Sequence, residues 1–147
     1  MRHLSKIVSM TLLVTAGVLS TAVASAAAGD WPSLRPGRWE FTRTIHSPHA
    51  PGRPQVVKST RCLDPVADMK QQNARLTRAG CRFSPMVRRG NTYTFASQCR
   101  IAGIDARSNS VLTVESPTAY RLHVDTSEDG ALGKEDMVAR RVGECSK

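Results

Sequence analysis

The sequence predicts a mainly β domain of the α+β class: a single curved or partly closed antiparallel sheet with one short helix and two disulfides. Short segments with alternating polar and apolar residues follow one another along the chain, and only one segment has helical periodicity. Alternation with a period of two is typical of strands that bury one face. The four cysteines all follow an apolar leader, which favours disulfides.

The first 26 residues have the arrangement of a cleavable signal peptide. Arg2 and Lys6 provide a basic start, residues 7–23 carry no charge, and small residues recur up to Ala26. The strongly apolar part is shorter than the roughly 20 residues that a helix needs to cross a bilayer. We therefore expect residues 1–26 to be removed and residues 27–147 to form one exported domain that does not span the membrane.

The charge of that domain is basic. Two of the 21 basic residues lie in the leader and all 12 acidic residues follow it, which leaves a net charge of +7. The arginines are scattered and no aromatic stacking platform accompanies them, and an exported protein rarely meets nucleic acid. We expect a solvated basic surface and no nucleic-acid partner; attraction to an anionic envelope component is the alternative.

The first predicted elements are two strands and a helix. Residues 39–45 alternate as a strand does, and residues 55–63 form the next strand. Asp64 and Pro65 are typical of an N-cap and a first helical position, and Gly80 is typical of a helix end.

Five further strand segments follow the helix. Residues 128–134 are predicted as a loop before the last of them, and the clearest hairpin turns at Gly90. The segments are Cys81 to Arg89, Asn91 to Arg100, Ser108 to Ser116, Ala119 to Thr126, and Met137 to Val142.

The cysteines predict two disulfides, since a zinc site usually shows close pairs such as C-x₂-C and none is present. A three-residue tip around Gly90 places Cys81 opposite Cys99, which leaves Cys62 to pair with Cys145. A two-residue tip shifts the register by one and strains that bridge. The set 81–99 with 62–145 is favoured, and the set 62–81 with 99–145 is the main alternative.

Several segments together resemble the bacterial family known as domain of unknown function 3617. They are the Pro-Gly-Arg-Trp-Glu sequence at 36–40, Cys-Leu-Asp-Pro at 62–65, a Gly-Asn-Thr turn at 90–92 between two cysteines, and the ending Arg-Arg-Val-Gly-Glu-Cys at 140–145. The resemblance covers essentially the whole mature chain. It implies a periplasmic protein of a Gram-negative bacterium and brings no known activity. Residues 125–136 depart from the family pattern, which often has Gly-, Thr- and Met-rich strands there.

This acidic segment matches a twelve-residue calcium loop. Asp125, Ser127 and Asp129 would supply oxygens at positions 1, 3 and 5, Gly130 the turn, and Asp136 the last ligand. EF-hands need flanking helices, however, and the preceding segment is predicted as a strand. A solvated turn is therefore the favoured interpretation, and no metal or other cofactor is assigned.

Trp39 and Phe41 lie on one face of the first strand and either pack in the core, which is favoured, or line a ligand pocket. Catalytic motifs such as Gly-x-Ser-x-Gly and Ser-x-x-Lys are absent from the sequence. We expect a non-enzymatic binding or envelope-associated module. The alternatives are a lipocalin-like carrier of a small apolar or anionic ligand and a calcium-stabilised domain.

Overall fold

The computed structural model describes residues 30–47, 49–50 and 52–146; the predicted signal peptide, residues 1–26, lies outside them. Within these ranges no helix combines the length and apolar character that crossing a membrane requires. The elements in chain order are β1 (Gly37–His46), β2 (Gln55–Leu63), α1 (Pro65–Arg78), β3 (Cys81–Phe83), β4 (Val87–Arg89), β5 (Thr92–Ile101), β6 (Ile104–Ser116), β7 (Ala119–Glu128) and β8 (Ala131–Gly143).

The strands form one open antiparallel sheet, as the alternating segments predict. Its order is β2-β1-β8-β7-β6-β5-β3, and β4 pairs with β5 beside β3. Strands β2 and β3 are the two ends of this order, although only α1 separates them along the chain. Helix α1 therefore connects one edge of the sheet to the other, and we call the face that it covers the inner face.

The cap of α1 confirms the predicted helix start. The Asp64 carboxylate accepts hydrogen bonds from the backbone N–H groups of Val66 and Ala67, at 2.9 and 3.1 Å. Pro65 occupies the first helical turn and is buried. With 14 residues, α1 is about 21 Å long at a rise of about 1.5 Å per residue.

Both disulfides lie next to α1. The structure pairs Cys62 with Cys145 and Cys81 with Cys99. Cys62 precedes the N-cap Asp64 by two residues, and Cys81 follows the C-cap Ala79 by two residues. A disulfide thus fixes the chain beside each end of the helix: to the segment that follows β8 at its start, and to β5 at its end.

The register that brings Cys81 opposite Cys99 has a different origin from the predicted one. The tip at Gly90 holds two residues, Gly90 and Asn91, which is the case that by itself would shift the register by one and strain the bridge. Between β3 and β4, the three residues 84–86 lie opposite only two residues of β5, 95 and 96. This bulge of one residue offsets the shift that the two-residue tip causes, so that Cys81 lies opposite Cys99.

The predicted loop at residues 128–134 is also wrong. Strand β7 continues to Glu128, and β8 begins at Ala131 after the turn residues Asp129 and Gly130, both of which have positive φ. Polar residues extend these strands because they find partners across the sheet. The Glu135 carboxylate, for example, accepts two hydrogen bonds from the Arg43 guanidinium of β1, at 2.6 and 2.7 Å.

The core lies on the inner face and contains buried side chains of β1 and of the strands β5 to β8. Trp39 is fully buried, its indole N–H donates to the Arg35 carbonyl at 3.1 Å, and its ring centroid is 5.6 Å from that of Tyr120. Burial raises the pKa of the Tyr120 hydroxyl to about 12. The cluster of buried residues is Leu34, Trp39, Phe41, Tyr93, Leu112, Tyr120 and Ala139.

Residues 36–40 and residues 140–145, the first and last segments that resemble the family, are in contact in the structure. The Arg141 side chain is largely buried, and its Nε–H donates to the Pro36 carbonyl at 2.8 Å. A Cβ atom on Gly37 would lie 2.4 Å from Arg141 Nε and 2.6 Å from the Gly143 carbonyl oxygen. Only glycine fits there without displacing the arginine.

We expect Gly37→Ala to lower the free energy of unfolding by about 1–3 kcal/mol through overpacking. Gly143→Ala is the matched control, because a Cβ there meets only the Arg38 guanidinium at an ordinary 3.5 Å. Urea denaturation of the two variants measures the difference. Equal free energies of unfolding for the two variants would contradict the close contact of Gly37 with Arg141 and the Gly143 carbonyl.

Candidate ligand-binding cavity

A cavity of about 340 Å³ lies between α1 and the inner face of the sheet. Its floor comes from β3 and the strands β5 to β7, its roof from the helix, and one wall from Trp31 of the segment before β1. The apolar lining residues are Trp31, Met69, Leu76, Phe83, Phe95, Ala106, Leu112, Leu122 and Val124. The polar lining residues are Gln72, Asn73, Ser97, Arg107, Ser108, Ser110, Thr126 and Glu128.

The cavity exists because the middle of α1 does not fill the space beneath it. Met69 and Leu76 of α1 both point to the sheet. Gln72 and Asn73 lie between them on the same side of the helix, so that their side-chain amides face the floor of the cavity. Pro65 is the only buried residue of the helix. Amide groups gain little from packing on aromatic and leucine side chains, so this stretch leaves a gap instead of a core.

A row of hydroxyl groups crosses the floor of the cavity. Ser97, Ser108 and Thr126 are direct neighbours on β5, β6 and β7. The hydroxyl oxygens of Ser97 and Ser108 are 2.8 Å apart and share one hydrogen bond. The row offers hydrogen-bond donors and acceptors to a polar group of a bound molecule.

One end of the cavity lies under the loop that joins β1 to β2. Glu128 lines the cavity at the end of β7. Its Oε2 is 2.7 Å from the His49 Nε2 of that loop. The loop is therefore in contact with the rim of the cavity.

Comparison with protein families identifies the chain. The model of a family described as "Protein of unknown function (DUF3617)" matches residues 34–145. The chain belongs to the DUF3617 family. The match runs from the core residue Leu34 to Cys145, which belongs to a disulfide. It includes the sheet, the helix and every residue that lines the cavity except Trp31. Comparisons with curated proteins and with solved structures give no match.

The two aromatic residues that the sequence analysis assigned to the core or, as the alternative, to a pocket lie outside the cavity of this DUF3617 domain. Trp39 and Phe41 are packed in the core and do not line the cavity, which is displaced toward β5 to β7. The physical reason is that Leu34 and the apolar side chains of the first helical turns, such as Val66, cover the inner face at β1. Sequence reasoning missed Trp31 and the cavity roof. The sequence did contain one indication of the cavity: the amide residues Gln72 and Asn73 lie between Met69 and Leu76 on the face of the helix that points to the sheet.

The candidate calcium ligands of this domain are spread along a β-hairpin and do not form a loop. Asp125 and Ser127 belong to β7, Asp129 to the turn, and Asp136 to β8. Two of these carboxylates contact His123: Asp136 Oδ1 lies 2.7 Å from Nδ1, and Asp125 Oδ1 lies 3.2 Å from Nε2. Among residues 30–47, 49–50 and 52–146, no group of three or more His, Cys, Asp or Glu side chains is arranged to hold a metal ion.

The hydrogen bond to Asp136, with a further contribution from Asp125, raises the pKa of His123 above its ordinary value of 6.5. A raised pKa in the folded state means that the imidazolium contributes stability below pH 6.5 and that this contribution is lost as the pH rises through the folded pKa. Because the cluster is on the surface, we expect the contribution to be small.

The imidazole resonances of His123 measure this pKa directly by NMR titration. We expect a midpoint above 6.5 in the wild type and a lower one in Asp136→Asn, which removes the stronger partner. The Asp125→Asn variant serves for comparison and should lower the midpoint less. A wild-type midpoint at or below 6.5 would contradict the assigned contacts.

Proposed function

We propose that this protein is a non-enzymatic binding module of the bacterial periplasm. In this proposal the cavity beneath α1 holds one small amphiphile, an elongated alkyl or acyl chain with a hydrogen-bonding end group. The observation that carries the proposal is the 340 Å³ cavity, which falls within the roughly 300–1,000 Å³ typical of small-molecule sites. Most of its lining area is apolar, and polar groups converge on it from the helix and the sheet, as is usual in such sites.

The floor supports the apolar part of the ligand. Phe95, Leu112 and Leu122 present contiguous hydrocarbon surface to the cavity. A methylene group that leaves water for such a surface contributes about 0.8 kcal/mol to binding. An alkyl chain of several carbons therefore supplies the affinity without any charged contact.

The polar groups support a defined orientation of the ligand. The hydroxyl row of Ser97, Ser108 and Thr126 and the helix amides of Gln72 and Asn73 converge on the cavity from opposite sides. A hydroxyl, ester or carboxyl end group is able to hydrogen-bond to either set.

The same contacts favour binding over catalysis. Ser97 hydrogen-bonds to another serine hydroxyl and not to a histidine or lysine that would activate it as a nucleophile.

The proposed periplasmic location follows from two features of different kinds. The leader sequence predicts export, and two disulfides are typical of an oxidising compartment.

Filling the cavity from the helix tests the proposal. We expect Asn73→Phe to weaken binding of Nile red at least tenfold, because the new ring occupies the space of the ligand. Ala74→Phe is the matched control: Ala74 is the next residue of α1, is exposed, and does not line the cavity. Nile red fluorescence, with displacement by dodecanoate, provides the measurement.

The control variant should bind the dye and dodecanoate as the wild type does, and circular dichroism establishes that both variants are folded. Absence of binding by the wild type would overturn the proposal. Equal binding by Asn73→Phe and the wild type would place the ligand outside this cavity and would overturn it as well.

A further inference from the structure

A second chamber of about 220 Å³ adjoins the cavity beneath α1. Its lining includes Ser84 and Met86, which belong to the segment between β3 and β4. Four residues line both chambers: Trp31, Asn73, Phe83 and Phe95. These four side chains form the partition that separates the two spaces.

Trp31 differs from the other three members of the partition in how it is held. Phe83, Phe95 and Asn73 belong to β3, β5 and α1, whereas Trp31 reaches in from the segment that precedes β1. The backbone N–H of Arg35, four residues later, donates to the Pro117 carbonyl at 2.8 Å. The Trp31 ring makes a cation–π contact with Lys70 of α1, whose ammonium lies 5.5 Å from the ring centroid.

We infer that Trp31 determines the length of ligand that the protein accepts. The inference rests on the proposed function, since it concerns the ligand of the same cavity. With the indole in place, a chain is confined to the chamber of 340 Å³. Without the indole, the second chamber of 220 Å³ becomes continuous with the first, and a longer chain extends into it.

The chemistry of the second chamber fits this role. Met86 and the rings of Phe83 and Phe95 line it, so it continues the apolar surface of the first chamber. Each methylene that enters such a surface strengthens binding about fourfold. Affinity therefore rises with chain length until the chain reaches the partition and then levels off.

The dissociation constants of straight-chain alkanoates from octanoate to hexadecanoate, measured by displacement of Nile red, test this inference. We expect the wild type and Trp31→Phe, which retains an aromatic ring in the partition, to level off at the same chain length. Trp31→Ala should level off at a longer one and should bind hexadecanoate at least about fifteenfold more tightly than the wild type, as two or more additional buried methylenes require.

The outcomes separate the inference from the proposed function. If alkanoates bind but the Trp31→Ala series levels off where the wild-type series does, the inference is overturned and the proposed function stands. If no alkanoate binds the wild type or either variant, the proposed function is overturned and the inference with it.

A second readout uses the wild-type protein and does not depend on the alanine variant. The chain has two tryptophans, and Trp39 is fully buried in the core. The difference between the emission spectra of the wild type and Trp31→Phe therefore isolates Trp31. Titration with hexadecanoate should change this difference spectrum, because a chain long enough to reach the partition contacts the indole there. An unchanged spectrum at saturating hexadecanoate would overturn the inference.

Discussion

The attachment of helix α1 at both edges of an open sheet is the constraint on which the rest of the structure depends. The helix follows edge strand β2 and leads into edge strand β3, and a disulfide fixes the chain beside each of its ends. Cys62 joins the start of the helix to the C-terminal end of the chain, and Cys81 joins its end to β5. A helix held in this way keeps its position over the inner face without having to bury its whole length.

This constraint allows the two ends of the helix to have different roles. The first turns cover Trp39 and the rest of the core, where Val66 and Met69 pack against buried side chains. The later turns carry Gln72 and Asn73 over the floor of the cavity. The core and the cavity share Leu112, whereas the amides of Gln72 and Asn73 line the cavity without belonging to the core. Substitution of these two amides should therefore affect binding more than folding.

The sequence predicted those features that depend on local chemistry. Asp64 and Pro65 mark the helix start because an N-cap and a fixed φ act within one turn, and the alternating segments mark the strands for the same reason. The bulge at residues 84–86 was not predictable, because a single additional residue in a strand leaves no distinctive pattern in the amino-acid sequence. The cavity was not predictable either: alternation shows that Trp39 and Phe95 face inward, but only the path of α1 decides which is covered by packed side chains.

In the proposed complex, one ligand lies between the helix and the sheet. Intermolecular nuclear Overhauser effects from bound dodecanoate to the methyl groups of methyl-labelled protein test this position most directly. We predict contacts to Met69 on the helix and to Leu122 on the sheet in the same complex. Contacts confined to Leu132, which is 79% exposed on the β7–β8 hairpin, would contradict it.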